Sequence, residues 1–329
     1  MGLSPLPQEL FAAWDITGPV ELHPVLHGIN NESYQAVTPG VPYLLRIYQN
    51  TADPDRVGYE HALLAQLGTR SLPFTVSVPL VTGSGHSLVP TSDGRLAALF
   101  PFLPGRHGAE DDETICRLGG AALAALDHAL AAIDLPVPPA VFPPFGDLTR
   151  IHPLIPDPLA MTAQLPAPPS DRAIVACLIE GLAERVATLY ATLPRQVVHR
   201  GFDGTDLLMD GGRVIAILDF EFAAPDLRAL DLAVALTQFT RILTEVGRRR
   251  AGAFVRAYMA AFPLTPAEMA ALPDLMRLFR SVSLIAREGR RQQGRAGGRD
   301  VQGRAERLLH LDTWLQENAP WMEGLEKGW

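Results

Sequence analysis

Cysteine is nearly absent: Cys116 and Cys177 are the only two in 329 residues. Both fall in apolar, helix-like runs, so buried free thiols are expected rather than a disulfide, and a reducing cytoplasmic setting fits. Long hydrophobic runs are missing too. No window of ~20 uninterrupted apolar residues occurs, and the opening Met1-Gly2-Leu3-Ser4-Pro5 lacks a basic segment followed by an apolar one. Neither secretion nor a membrane span is therefore expected. Positive charge is in deficit, with 28 Lys and Arg against 36 Asp and Glu for a formal net charge of −8. A nucleic-acid partner is not expected from that balance.

Several short motifs are lacking as well. There is no Gly-x-x-x-x-Gly-Lys-Ser/Thr, no Gly-x-Gly-x-x-Gly between a strand and a helix, no Gly-x-Ser-x-Gly and no internal repeat. P-loop, dinucleotide and serine-elbow chemistries are excluded on that ground. His199 and Asp203 stand four apart, but no further nitrogen or sulfur ligands accompany them, so His199 reads as a structural histidine. What is abundant is apolar residues, 47% of the chain, enough for a large core in a globular protein of two lobes.

The first hundred residues read as an antiparallel meander. A short helix over 5–15 precedes strands at 20–26, 33–37 and 43–48. The turn Gly28-Ile29-Asn30-Asn31-Glu32-Ser33 is either a plain hairpin loop or a cover for phosphates, through Gly28, Asn30 and Ser33. Arg46 lies inside the apolar strand Leu44-Leu45-Arg46-Ile47-Tyr48, where a charge needs a partner or a ligand. Asp53-Pro54 opens a helix that carries Glu60 beside Tyr59, Leu63, Leu64 and Leu67, so Glu60 is a candidate partner for Arg46.

Strands at 75–81, 87–90 and 96–100 end in Phe100-Pro101-Phe102-Leu103-Pro104-Gly105, which reads as a hinge. The expected lobes are therefore residues 1–102 and 103–329. Helical periodicity dominates the second, over 115–133, from a Ser170-Asp171 cap through 193 with Cys177, Leu182, Val186 and Leu189 as its core stripe, from Pro225 onward, and over 247–261, 265–288 and 301–317. The Pro-rich connection 135–169 is expected to be loop. Between 287 and 307 stand seven Arg and five Gly, a pattern of a solvated interhelix loop or of an anion or partner site.

The stretch from Val197 to Phe222 organises the rest: strand, polar loop, strand, Gly211-Gly212 turn, strand, acidic cluster. It puts Asp206 and Asp219 at strand ends expected to be neighbours. Two carboxylates in a partly dry cleft imply a cation, and with oxygen donors only, Mg²⁺ is the expected one.

Together, the Gly28 turn, Arg46, Glu60, the Phe-Leu-Pro-Gly hinge, the 199–206 loop and Asp219-Phe220-Glu221 resemble the aminoglycoside phosphotransferase and homoserine kinase-like superfamily. The resemblance covers nearly the whole chain and is tightest over 214–233. It implies an α+β, bilobal protein-kinase-like fold, with an antiparallel β-sheet N-lobe that binds ATP and a mainly helical C-lobe. Asp219 would then hold Mg²⁺ on the nucleotide phosphates, Asp231 would brace the catalytic loop, and Arg46 would stand where most members have Lys. The acceptor would be the hydroxyl of an amino alcohol, amino sugar or homoserine-like molecule.

The catalytic loop departs from the family pattern His-Gly-Asp, four residues, Asn. Here it reads His199-Arg200-Gly201 and then Asp206, so the general-base position is Gly201 and the Asn metal ligand is Asp206. Asp203 is the remaining candidate base, and Arg200 is expected to point to solvent. The alternative function is a nucleotide-binding pseudokinase with a regulatory or scaffold role.

Overall fold

The computed structural model describes residues 9–25, 31–49, 51–108, 112–139 and 141–325. In chain order it begins with α1 (Glu9–Ala12), β1 (Glu21–Pro24), β2 (Asn31–Val37), β3 (Pro42–Tyr48), α2 (Pro54–Gly68), β4 (Thr75–Val76), β5 (Val89–Pro90), β6 (Leu96–Pro101) and β7 (Arg106–His107). It continues with α3 (Glu113–Leu130), α4 (Pro158–Thr162), α5 (Pro169–Thr192), β8 (Arg195–Val198), β9 (Leu207–Asp210), β10 (Arg213–Ile217) and β11 (Ala224–Leu227). The last run is helical: α6 (Leu230–Gln238), α7 (Glu245–Ala261), α8 (Pro266–Gln292), α9 (Gly298–Glu317) and α10 (Ala319–Gly324).

These elements fall into two compact units. The first comprises Met1–Arg106, Ile133–Val141 and Leu208–Glu221; the second comprises His107–Ala132, Phe142–Leu207 and Phe222–Trp329. In the first, a five-stranded antiparallel sheet runs β1-β2-β3-β6-β5. One of its faces packs Tyr34, Ala36, Leu45, Ile47, Ala97 and Leu99 against Leu10, Phe11 and Trp14 of the α1 segment. The period-2 alternation of a half-covered sheet leaves the other face for Arg46 and Tyr48. A second sheet, β4-β10-β9-β7, includes one parallel pair, β10 on β4, with Ala216 opposite Thr75.

In the second unit α6 is buried all the way round from Leu230 to Thr237, as befits a helix at the centre of a helical core. Gly120 on α3 lets the backbone of α7 approach, since a Cβ there would meet Phe254 O at 2.2 Å. Phe202, Phe239 and Phe254 close the core, with ring centroids 5.4–6.3 Å apart. Among the described residues no helix is long and apolar enough to cross a membrane.

Five expectations from the sequence need correction. Cys116 is buried but Cys177 is exposed. The buried stripe of α5 is Val175, Ile179, Leu182 and Val186, and Cys177 lies about 200° round the helix from Val175. That helix begins at Pro169 without a side-chain cap from Ser170, because proline at the first turn presets the helical φ. Residues 224–227 are not helix but strand β11, paired with β8, an isolated ribbon in which Pro225 costs no central ladder bond. The segment 75–81 is strand only at Thr75–Val76. The Arg-rich segment is loop only over 293–297: α8 runs to Gln292 and α9 starts at Gly298.

Candidate active site

Within the first unit, Arg46 on β3 and Glu60 on α2 form an ion pair at 3.2 Å, with side chains 16% and 5% exposed. Tyr48, two residues along β3 and on the same face, donates to the other Glu60 oxygen at 3.3 Å. The Tyr48 hydroxyl also meets His61 Nε2 at 3.0 Å, and His61 Nδ1 lies 2.7 Å from Ser87 Oγ. The Arg46 guanidinium lies over the Phe100 ring, 5.3 Å from its centroid. Its Nε is buried and has no hydrogen-bond partner among the described residues.

Negative charge is in surplus around this arginine. Burial pushes the Glu60 carboxyl up to about 7; Arg46 opposes that shift, while Glu221 and Asp219 add to it. The Arg46 charge itself is held, because Glu60, Tyr48, Asp219 and Glu221 together outweigh its burial. Burial, then Arg46, lowers His61 to about 3, so its ring is neutral. Asp219 follows the end of β10 with φ of 64°, a left-handed conformation that an aspartate adopts at a cost. Asn31 Nδ2 donates to Glu221 Oε2 at 3.1 Å and ties the start of β2 to this acidic end.

Within the second unit, the 199–206 loop hangs on Asp231 at the start of α6. The backbone N–H groups of His199 and Arg200 donate to its two oxygens at 2.5 and 2.6 Å. Burial raises the Asp231 carboxyl against the pull of His199 and these two donors. Beside it, burial and Asp231 raise the Asp127 carboxyl, which accepts from Tyr258 Oη at 2.6 Å. Arg200 has φ of 66° and is 2% exposed. Its guanidinium donates to Pro143 O and Pro225 O and pairs with Asp226 Oδ2 at 2.8 Å.

After Arg200 the chain passes Gly201, whose added Cβ would meet nothing nearer than His199 Nδ1 at 3.8 Å. Phe202 then plugs into the aromatic core, and Asp203 caps the single 3₁₀ turn Gly204–Asp206. Asp203 Oδ1 accepts from Thr205 N and Thr205 Oγ1 at 2.7 and 2.6 Å, and Asp203 N donates to Asp206 Oδ2 at 2.8 Å. No described residue hydrogen-bonds the other Asp203 oxygen. Asp206 is buried, and His107 Nδ1 lies 2.6 Å from Thr205 O.

The family model described as phosphotransferase enzyme family matches residues 21–272. The chain belongs to the phosphotransferase enzyme family. A homoserine kinase of Azorhizobium caulinodans is 26% identical over 273 residues, 82% of this chain and 80% of that protein. One from Gluconacetobacter diazotrophicus is 30% identical over 257 residues, covering 76% and 75%. Among solved structures, a microcompartment-associated aminopropanol kinase superposes with a TM-score of 0.75 at 16% identity, covering 96% of this chain and 97% of that one. An amicoumacin kinase bound to AMP-PNP and Ca²⁺ gives 0.67 at 14% identity, covering 89% and 88%. The fold is the α+β protein-kinase-like fold.

Against the family pattern, the structure of this chain places the expected residues unevenly. Arg46, Glu60 and Asp219 come together in the first unit. In the second, His199 comes together with Asp231 and Asp203 with Asp206. Gly28 and Asn30 lie outside the described residues, and Ser33 lies in β2 opposite Arg46 rather than in a turn. Arg200 does not point to solvent, as its sequence context suggested; it is locked by Asp226, Pro143 and Pro225. Sequence reasoning also missed Tyr48, Asn31 and Glu221. For Tyr48 a signal existed, since i and i+2 on a strand share a face with Arg46.

Proposed function

We propose that this chain is an ATP- and Mg²⁺-dependent phosphotransferase that acts on the hydroxyl of a small acceptor, an amino alcohol, amino sugar or homoserine-like molecule. The observation that carries the reading is the Arg46–Glu60 pair with its buried, unpartnered Arg46 Nε, set among Asp219 and Glu221. A buried N–H without a partner is costly, and a phosphate oxygen would satisfy it. Homoserine kinases among the relatives support a small hydroxyl acceptor.

The donor set fits Mg²⁺. Surplus negative charge around Glu60, Asp219 and Glu221 invites a cation, and all the donors are hard oxygens. Asp219 of the first unit would hold it, and Asp206 of the second is the other carboxylate that the resemblance assigns to a metal. When bound, Mg²⁺ supplies charge neutralisation on the phosphates.

The chain's own residues would then divide the work. Arg46 binds a phosphate, and Glu60 and Tyr48 fix its direction. Asp231 holds the loop through two backbone donors and His199 helps fill the space beneath it. Asp203, through the carboxylate oxygen that no described residue engages, accepts the acceptor's hydroxyl proton. Labelled ATP, Mg²⁺ and an acceptor panel test the reading: transfer that disappears in Asp219→Asn supports it, and no transfer to any acceptor by the wild type counts against it.

One observation favours a second reading. Gly201 has no side chain at the family's general-base position, so the chain would instead be a nucleotide-binding pseudokinase with a regulatory or scaffold role. Gly201→Asp separates the two: large gain from a silent background supports the pseudokinase, and robust activity left unchanged rules it out.

A further inference from the structure

On α8 and α9 three arginines are matched to carboxylates. Arg277 pairs with Asp312 and Asp274, Arg287 with Asp300, and Arg291 with Glu288. Arg280, Arg304 and Arg307, on the same two helices, have no carboxylate partner among the described residues. Arg280 Nη2 donates to Thr237 O at 2.7 Å and Arg304 Nη1 to Ser283 Oγ at 2.7 Å, both neutral acceptors.

Two of these three, Arg280 and Arg307, line a cavity of about 270 Å³ between the end of α6, the following linker, α8 and α9. Arg241, Arg280 and Arg307 line it with Thr237, Thr244 and Leu311, and no acidic side chain does. Drug-sized ligand sites run from roughly 300 to 1,000 Å³, so this one suits a smaller molecule. Clustered guanidinium groups repel, and here burial and neighbouring arginines lower both Arg280 and Arg304 to about 10. An oxyanion among them removes that repulsion and accepts several charge-assisted hydrogen bonds at once.

We propose that the cavity lined by Arg241, Arg280 and Arg307 is a binding site for a phosphate oxyanion, free or as the phosphoryl group of a small metabolite. Thr237 and Thr244 spend their hydroxyl protons on Val234 O and Arg241 O, so the donors are the guanidinium groups, and Ile242, Leu243 and Leu311 give an apolar wall for a short carbon chain. None of these residues belongs to the groups assigned above to phosphoryl transfer, and the inference does not rest on that assignment.

Isothermal titration of the full chain with inorganic phosphate, and separately with glycerol 3-phosphate, tests it. Mg²⁺ and excess AMP-PNP are kept present to fill any nucleotide site. Wild type is expected to bind at least one of the two probes. Arg307→Glu, an exposed change, and Arg280→Gln are expected to weaken that binding by about tenfold or more, the scale of one charge-assisted contact. Tighter binding of glycerol 3-phosphate assigns the site to a phosphorylated metabolite, and equal binding assigns it to the free anion. Phosphoryl transfer in Arg307→Glu stays at its wild-type level, whether that level is high or nil. No binding of either probe to the wild type, or equal binding by wild type and Arg307→Glu, overturns the proposal. If Arg280→Gln does not fold, Arg307→Glu decides alone.

Discussion

Arg200 Nη2 lies 2.8 Å from Asp226 Oδ2, with both side chains wholly shielded from water. Asp226 is satisfied on every side: Phe145 N donates to Oδ2, and Leu227 N and the Tyr190 hydroxyl donate to Oδ1. The arginine also lies over Phe145, 4.8 Å from the ring centroid. This residue of the 199–206 loop therefore anchors the loop to β11 and the 143–146 segment, and its own charge is taken up by Asp226.

Removing one partner of such a pair leaves a buried, uncompensated charge. Arg200→Ala and Asp226→Ala are each expected to cost about 3–5 kcal/mol in chemical denaturation. The double variant is expected to cost less than the sum of the two, because it leaves neither charge stranded. Additive losses would show that the pair does not couple.

Glu60 gives a pH signature. Its folded pKa, near 7, lies above the ordinary value of 4.5, so folding takes up a proton in between. The contribution to stability is then full below the unfolded pKa and is lost as pH rises through 7. Relative to Glu60→Gln, the wild type should lose stability between pH 5 and 8, at up to about 1.4 kcal/mol per pH unit. Thermal melts of the two proteins across that range check it, and parallel curves would contradict it.

Asp203 is engaged through Oδ1 alone, so Asp203→Asn keeps an oxygen to cap Thr205 while losing the basic carboxylate. The expected result is a fall in kcat on the order of 10²–10⁴ with nucleotide binding retained. Steady-state kinetics alongside nucleotide titration separate this from loss of the turn, which would lower both.

At Gly201 there is room for a carboxylate, since the nearest atom to an added Cβ is 3.8 Å away. Gly201→Asp should fold with near-native stability. If Asp203 is the working base, the added group changes the rate by less than about tenfold, well short of a lost base restored.

Much of the fold was legible because its signals are local. The Asp53 cap with Pro54 marks α2 on target, and Asp53 indeed accepts from Asp55 N. The alternation around Arg46 marks β3, and a charge in an apolar strand pointed to Glu60 fourteen residues away. Arg200 was not legible, because its partner Asp226 lies in a strand whose Pro225 reads as a helix start, and burial of an arginine depends on that long-range pairing. Nor does periodicity say that 133–141 and 208–221 join the first unit, since membership is fixed by packing rather than by local pattern. The exposed side of Cys177 was missed for a smaller reason: two residues along a helix reverse the face.

The central claim is phosphoryl transfer to a small hydroxyl despite glycine at the usual base position. Its most direct test is transfer of labelled γ-phosphate from Mg-ATP to a panel of homoserine, aminopropanol and amino-sugar acceptors, with wild type, Asp219→Asn and Gly201→Asp side by side. Transfer to at least one acceptor by the wild type, lost in Asp219→Asn, is the expected result. A silent wild type, with transfer emerging only in Gly201→Asp, would contradict it.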